Sequence, residues 1–581
     1  MGQTIDKDRV VAILEDIGAL LDIKGENPFK VRAYLNAART IDSYPGTLTR
    51  LIESGDLARI KGVGKSLAEK IIEISQTGKS TYLEDLRKEL PAGLLDMLKI
   101  PGFGPKKAKA VFDCLGIKSV GELEYACQEN RLVDLTGFGI KTQEKILLGI
   151  AFLKRGVGRF RIDIAEKAAI PIFEALKALP VVKRISFCGS IRRYRETIKD
   201  IDILVSSKHP GKVMDLFVSL PGISQVESHG ETKSTVLLEP GMDCDLRIVT
   251  DEQFPYAQIY FTGSKEHNVD MRTRAKKKYD IKMNEYGLFK GAKETFIPCK
   301  DEAEIFAALK LDYIPPEMRE ANGEIETAES GSIPRLVEES DLKGLIHVHT
   351  RWSDGVVDVN DYIDYCSLRK WEYVAICDHS KSAGYAHGLD EKRVAEQHRE
   401  IDNANKKSHK ADVRVLKGIE ADILPDGSLD YDDSILATFD MVIASIHSRF
   451  NMSETDMTRR VIKALKNKYV TMLGHPTGRL LLSRDGYPIN LDEILNVCSA
   501  EGVMVEINAH PFRLDLDWRY IRKAGEMNVM MSINPDAHNL GDVDKIRYGV
   551  GIARKGWATP QHIFNTFPLE KALKILKRRT S

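Results

Sequence analysis

From Leu345 onward seven apolar runs succeed one another: "LIHVHT", "YVAICDHS", "VRVLKGIEADI", "MVIASIHS", "VTMLGHP", "GVMVEINAH" and "VMMSINPDAH". Helix-like stretches such as "EKRVAEQHREIDNANKK", "TRRVIKALKNK" and "LDEILNVC" separate most of them. No other feature restricts the fold as strongly. Strands that alternate with helices form a parallel sheet, and seven such units in roughly 240 residues predict an α/β barrel. Chemistry in such barrels collects at the C-terminal ends of the strands.

Those ends carry an unusual set of side chains. Only three of the 14 histidines, His209, His229 and His267, precede His347. His347 and His349, His379, Glu420, His447, His475, and Asp536 with His538 lie in or at the end of six of the seven runs, and Asp354 follows the first in "RWSDG". Strand side chains repeat every two residues, so His347 and His349 share a face, as do Asp536 and His538. Any one of these histidines alone would read as a hydrogen-bonded structural residue. Crowded together at one mouth, imidazoles and carboxylates are stable when divalent cations neutralise them. Mixed nitrogen and oxygen donors suit zinc, manganese or iron better than magnesium or calcium. Such ions hold a phosphate and acidify a water, so phosphoester hydrolysis is the expected reaction. His387, His398, His409 and His562 read as surface residues, and His510 in "INAHPF" as a marginal addition to the set.

A chain of 581 residues needs further domains. Its 85 basic and 85 acidic residues cancel, so net charge does not point to nucleic acid and local pattern has to decide. Eight cysteines without a Cys-x-x-Cys pair speak against a zinc ribbon or a disulfide framework and predict reduced thiols in a cytoplasmic setting. No apolar run nears the ~18 residues of a membrane span. The N-terminal region reads as short helices broken by a repeated turn, "IKGVGKS", "IPGFGPK" and "LTGFGIK", with Gly62 and Gly64, Gly102 and Gly104, and Gly137 and Gly139. Each turn opens a lysine-bearing helix whose N-terminal N–H groups can face a phosphate, which predicts sequence-independent contact with a DNA backbone.

Between these regions lies "CGSIRRYRETIKDIDILV", with Asp200 and Asp202 two apart on a strand and a further acidic strand at "DCDLRIV". Carboxylates grouped in this way suit paired Mg²⁺ and nucleotidyl transfer. Gly189 and Ser190 precede them, and Ser190 and Arg193 offer a hydroxyl and a bidentate guanidinium to phosphate. The stretch "ANGEIETAESGSIP" (Ala321 to Pro334) is small and acidic and reads as an interdomain linker.

The last region resembles the PHP (polymerase and histidinol phosphatase) domain, a distorted seven-stranded TIM-like barrel with nine ligands for three metals. The resemblance implies one ion held by His347, His349, Glu420 and Asp536, a second by Glu420, His447 and His475, and a third by Asp354, His379 and His538. The first part, together with "YFTGS", resembles the family X DNA polymerases of the DNA polymerase beta type. That resemblance implies a catalytic triad of Asp200, Asp202 and Asp245, rather than Asp243. It puts Tyr260, Phe261 and Gly263 at the incoming sugar, and Asn268 and Arg272 at the nascent pair's minor-groove side. Lys199 departs from the family's usual glycine. "KVRAYLNAA" and "GVGKSLAEKI" resemble its small lyase domain, with Lys70 as Schiff-base lysine and Lys30 and Tyr34 near a 5′-phosphate. Phe29, Ala58 and Ser66 depart from that pattern, with Lys61 and Lys65 as replacement charges.

The architecture these resemblances imply is multidomain. Residues 1–80 form a lyase-like helical DNA-binding domain, 81–155 a helix-hairpin-helix fingers-type subdomain, and 156–250 an α+β nucleotidyltransferase palm. Residues 251–318 form a thumb-type nucleotide-selection subdomain, 319–340 the linker and 341–581 the PHP barrel. The expected enzyme is a monomeric gap-filling repair polymerase acting on gapped or primer-template DNA and deoxynucleoside triphosphates. It would use Mg²⁺ in the palm and Mn²⁺ or Zn²⁺ in a barrel that trims 3′ ends or cuts abasic sites. The alternatives are a barrel that acts as a small-molecule phosphatase and one that is only a scaffold.

Overall fold

In the computed structural model the described residues are 7–42, 48, 52, 57, 63–91, 93–100, 102–133, 135–153, 158–239, 241–407 and 413–580. The chain divides into two compact units, Met1–Lys154 and Arg155–Ser581. Gly62 and His409 fall outside the described residues, as do Ala58 and Lys61.

The first unit is helical because its apolar residues recur at helical spacing and its turns carry the right caps. Ser80 and Ser119 accept from the backbone N–H of Leu83 and Glu122 at the starts of the helices Thr81–Glu89 and Val120–Gln128. Gly78 and Gly116 end the helices Lys65–Thr77 and Pro105–Leu115 in the left-handed conformation. Two apolar clusters hold the unit together, one around Leu14, Ile17, Ile71 and Ile74, the other around Met97, Phe103, Phe138 and Ile150.

The second unit begins with a short antiparallel pair, β1 (Phe160–Arg161) and β3 (Thr197–Ile198). Beside it a five-stranded palm sheet has the order β2-β4-β7-β6-β5, from β2 (Val182–Phe187), β4 (Asp200–Ser207), β5 (Ile223–His229), β6 (Lys233–Leu238) and β7 (Met242–Val249). Strands β4 and β7 pair in parallel and the others antiparallel. Strand β5 is an exposed edge whose sequence "ISQVESH" lacks clean alternation, so it does not stand out in the sequence. Strands β8 (Ile281–Asn284), β9 (Gly287–Lys290) and β10 (Thr295–Ile297) form the small thumb sheet.

The seven predicted runs become β11 (Gly344–Val348), β12 (Tyr373–Ile376), β13 (Arg414–Asp422), β14 (Met441–Ser445), β15 (Met472–Leu473), β16 (Met504–Asn508) and β17 (Met531–Asn534). They lie side by side in chain order and all in parallel. The ends of the row meet. Val348 bridges Ala537, and Ala537 exchanges backbone hydrogen bonds with His347 and His349 at 3.3 and 2.8 Å. Most strand residues are buried on both faces, as expected of a helix-covered parallel sheet. One set packs with Phe564 and the C-terminal helix Leu569–Thr580; the other joins the surrounding helices.

The stretch read as a linker is a packed part of the thumb. Glu324–Glu329 is a helix, and Ile325 and Ala328 enter the apolar cluster of Tyr256, Met271 and Phe306. The carboxylate of Glu324 is buried, 2.7 Å from His267 Nδ1, and accepts from the N–H groups of Ala321 (3.0 Å) and Asn322 (2.6 Å). An acidic residue reads as solvated when its partner lies 57 positions away, which is why the sequence pattern misleads here. Palm and barrel also share a continuous apolar cluster. Tyr194 of the palm lies where a Cβ on Gly551 would come within 2.0 Å, and Glu166 binds Arg547 and Tyr548, each at 2.9 Å.

Replacing Glu324 with alanine strands His267 and two backbone donors in a dry site. A loss of about 2–4 kcal/mol is expected, seen as a lower thermal midpoint and new protease cuts within residues 321–334. A true linker would be cut in the wild type and indifferent to the change.

Candidate metal centres

Register brings the palm carboxylates together. Asp200 lies opposite Asp243 and Asp202 opposite Asp245, so all four share one face while Ile201 and Cys244 point into the core. Asp245 is steadied by Thr235 Oγ1 (2.6 Å) and Lys233 Nζ (2.8 Å). Burial, then the negative charges of Asp200 and Asp245, push the Asp202 carboxyl up to about 6. This is an excess of negative charge of the kind a divalent cation relieves. Among the described residues these carboxylates do not close to within 4.8 Å of one another as the barrel ligands do.

Gly189 is required where it stands: its φ is +60°, and a Cβ there would lie 2.1 Å from Asp202 Oδ2. The Ser190 hydroxyl is buried without a hydrogen-bond partner, as a group awaiting a ligand would be. Arg193 is not free in this state. Its Nε donates to Glu320 at 3.1 Å, and its guanidinium also donates to the Thr262 carbonyl. Around it, Gly263 has φ +74°, Tyr260 and Phe261 meet edge to face, and Arg272 lies 5.9 Å from the Tyr260 ring. Asn268 donates to the Tyr260 carbonyl at 2.7 Å, leaving its own buried oxygen without a partner. Lys199 is exposed beside Asp200.

In the barrel all nine expected ligands converge. His349, Asp354, His379 and His538 form one close group, His347, His349 and Asp536 a second, and His379, Glu420 and His447 a third. His475 Nε2 lies 3.0 Å from Glu420 Oε1, and His347 Nε2 lies 3.4 Å from Glu420 Oε2. The implied groupings are therefore recognisable, except that His349 and His379 each lie in two clusters. His347 Nε2, His349 Nδ1, both His379 nitrogens and His475 Nδ1 are buried without a hydrogen-bond partner. Buried imidazole nitrogens without partners beside carboxylates fit metal ligation. Burial, then His538 and His379, push His349 down to about 4. For His379 burial acts downward, but Asp354 and Glu420 carry it up to about 10. His347, Asp536 and, marginally, His475 have positive φ, at +62°, +52° and +20°, backbone strain of the kind found at functional sites.

Several residues absent from the sequence reading hold these ligands in place. Glu506, fully buried on β16, lies 2.5 Å from His347 Nδ1 and accepts from the His475 N–H at 2.6 Å. Asp422 lies 2.5 Å from His447 Nδ1. Asp378 accepts from Thr350 and Ser353 beside the Asp354 loop. A carboxylate on the far nitrogen fixes a ligating imidazole's tautomer. The signal in the sequence was a glutamate inside the apolar run "VMVEIN", the one run without an assigned ligand. His510 is buried against Lys545 Nζ (2.8 Å) and lies outside the three groups. His398 is half-buried on its helix rather than on the surface.

In the first unit Gly64 and Gly104 are helix N-caps, and Gly102 and Gly137 have φ of +77° and +91°. A Cβ at Gly64, Gly102, Gly104, Gly137 or Gly139 would meet nothing within 4 Å. Gly64, Gly104 and Gly139 are thus demanded neither by positive φ nor by packing; Gly64 and Gly104 suit the N-cap position, and all five glycines leave open space beside the backbone. Lys30, Tyr34 and Lys70 gather on Tyr82: the two ammonium groups lie 5.5 and 4.3 Å from its ring, and Tyr34 stacks at 6.1 Å.

Comparison with known proteins agrees with this division. Family models match for a helix-hairpin-helix domain (residues 5–80), a SAM-like helix-hairpin-helix tandem (94–151), a DNA polymerase beta thumb (257–320) and a PHP domain (346–510). The chain is 40% identical over 577 residues to the DNA polymerase/3'-5' exonuclease PolX of Bacillus subtilis (strain 168), covering 98% of this chain and 99% of that protein. It belongs to the PHP-bearing family X DNA polymerases. This family X chain is also similar, over part of its length, to a "Probable phosphatase" of Thermoanaerobacter sp. (strain X514), 30% identical over 179 residues that span 29% of this chain and 71% of that protein. A DNA nucleotidylexotransferase of Xenopus laevis is 23% identical over 343 residues, 51% of this chain and 65% of that protein. Among the described residues no helix is long and apolar enough to cross a membrane.

Two outcomes follow. Asp202 binds its proton more tightly folded than unfolded, where its ordinary value is 3.8. Metal-free stability therefore falls as pH rises from about 4 to about 6 and stays low above that. In EDTA, Asp202→Asn should stabilise the chain by about 2 kcal/mol at pH 8 and by almost nothing at pH 4; an equal gain at both would contradict the assignment. Glu506→Gln should weaken metal retention by the barrel by about 10–100-fold, measured by calorimetric titration with Mn²⁺ or Zn²⁺. Unchanged binding would show that Glu506 is only a core residue.

Proposed function

We propose that the enzyme fills short gaps in DNA with its palm and removes 3′-terminal nucleotides with its barrel. The observation that carries this is the presence, in one unit, of two chemically distinct centres: an oxygen-only carboxylate face on β4 and β7, and an imidazole-rich cluster at the ends of β11 to β17. Full-length similarity to a polymerase/3'-5' exonuclease supports the pairing. The domain limits expected from the sequence serve as our working division, with residues 319–336 reassigned to the thumb and 337–340 to the barrel.

In the palm, Asp200, Asp202 and Asp245 would hold two Mg²⁺ ions, which activate a primer hydroxyl and neutralise the triphosphate. Gly189 admits the substrate close to the sheet, Ser190 and Arg193 bind phosphate oxygens, and Tyr260, Phe261 and Gly263 wall the sugar. Asn268 and Arg272 line the minor-groove side of the new pair. In the barrel the nine ligands would hold up to three Mn²⁺ or Zn²⁺ ions, which acidify the attacking water. Glu506 and Asp422 keep His347 and His447 in the ligating tautomer. The glycine turns grip the DNA backbone, and Lys30, Tyr34 and Lys70 form a 5′-phosphate pocket with Lys70 available for lyase chemistry. Abasic-site cleavage is assigned to the barrel. A second reading, phosphomonoester hydrolysis in the barrel, is favoured by the chain's partial likeness to the "Probable phosphatase".

A 5′-labelled primer on gapped DNA, with Mg²⁺ or Mn²⁺, separates these readings. Asp200→Ala/Asp202→Ala should lose extension by at least about 10³-fold and keep degradation; His349→Ala should do the reverse. Loss of both activities in both folded variants would refute two independent centres. Turnover of a small phosphomonoester at rates above DNA would favour the phosphatase reading.

A further inference from the structure

One carboxylate ties the palm's nucleotide-site arginine to the barrel. Glu320, nearly buried in the thumb, accepts from Arg193 Nε at 3.1 Å and from Lys555 Nζ at 2.5 Å through one oxygen, and from Arg195 at 3.3 Å through the other. Lys555 ends the barrel helix Ile546–Lys555, and its side chain is wholly buried. It also donates to the backbone carbonyl of Arg193 at 3.0 Å and lies 4.8 Å from the Trp518 ring. A buried ammonium needs such partners to be tolerated at all. Both of its hydrogen bonds go to the polymerase half of the unit, so the stability of the barrel does not explain its placement. Arg193 in turn faces the "YFTGS" turn, with its guanidinium 3.0 Å from where a Cβ on Gly263 would lie.

We propose that Lys555 and Glu320 are positioning residues of the polymerase site, supplied in part by the barrel, and that they govern release of Arg193 to an incoming deoxynucleoside triphosphate. The proposal rests on the reading of Arg193 as a triphosphate contact. Before nucleotide arrives, three cations share one carboxylate. When Arg193 turns to the phosphates, Glu320 keeps Lys555 and Arg195, and no buried charge is stranded. Without Lys555 the carboxylate is left to Arg193 and the longer, more exposed contact of Arg195, and the exchange becomes less favourable. The barrel then affects nucleotide affinity without touching the nucleotide.

Single-nucleotide insertion by the full-length enzyme tests this, with exonuclease rate and thermal midpoint as fold controls. Arg193→Gln should raise KM for the triphosphate about tenfold, the loss of one charge-assisted contact. Lys555→Met should raise the same KM about fivefold with kcat changed less than about twofold, and Lys555→Arg should restore it. Adding Glu320→Gln to Lys555→Met should bring KM back, because the carboxylate that captures Arg193 is gone. A structural defect would not be repaired by a second substitution. If Arg193→Gln leaves KM unchanged, the underlying reading of Arg193 fails. If it raises KM while Lys555→Met does not, or Glu320→Gln gives no rescue, the positioning role fails and that reading stands. Should Lys555→Met not fold, Glu320→Gln alone decides: KM equal to or below wild type is expected, and a higher KM with intact exonuclease overturns the proposal.

Discussion

Glu420 is the group on which the barrel's chemistry turns. Its two oxygens lie within 3.0 to 3.7 Å of five imidazoles: His475, His379, His447, His347 and His349. It is buried, yet those neighbours hold its carboxyl well below the usual carboxylate range. One carboxylate cannot satisfy five histidines by hydrogen bonding, and several of their nitrogens are left without partners. An apolar environment does not tolerate such a cluster on its own. Parallel pairing of all seven strands puts their C-terminal ends, and with them these donors, at one mouth.

The palm solves a different problem with the same sheet logic. Its carboxylates stand on adjacent parallel strands, and oxygen alone lines the face. Burial there, and then repulsion from Asp200 and Asp245, raises Asp202 instead of lowering it. The contrast lies in the donors each site offers a divalent cation: carboxylate oxygen in the palm, and imidazole nitrogen with carboxylate in the barrel. Two chemistries can coexist on one chain because their donor sets differ, even without distance between them.

Much of this was legible before any coordinates. The alternation of apolar runs with helical stretches specifies the barrel, and the period of two puts His347 with His349 and Asp200 with Asp202 on common faces. What stayed hidden was pairing across long separations. Glu324 looks solvated until His267 is found beside it, and Glu506 looks like an intrusion into an apolar strand until His347 is seen on its carboxylate. Arg193 reads as a free phosphate contact because Glu320, 127 residues away, carries no local signature. Local patterns report which face a residue takes; they do not report what waits on the other side.

The shared core of palm and barrel changes how two activities on one chain must cooperate. Tyr194 packed against Gly551, Arg161 stacked 3.6 Å from the Phe512 ring, and the Glu166 contacts to Arg547 and Tyr548 fix the two parts to side-chain precision. Reorienting the barrel would expose that apolar interface and strand Lys555, an expensive motion relative to unpairing a few terminal nucleotides. On the two-centre reading proposed above, a 3′ end passing from palm to barrel would therefore do so by movement of the DNA and not by reorientation of the barrel.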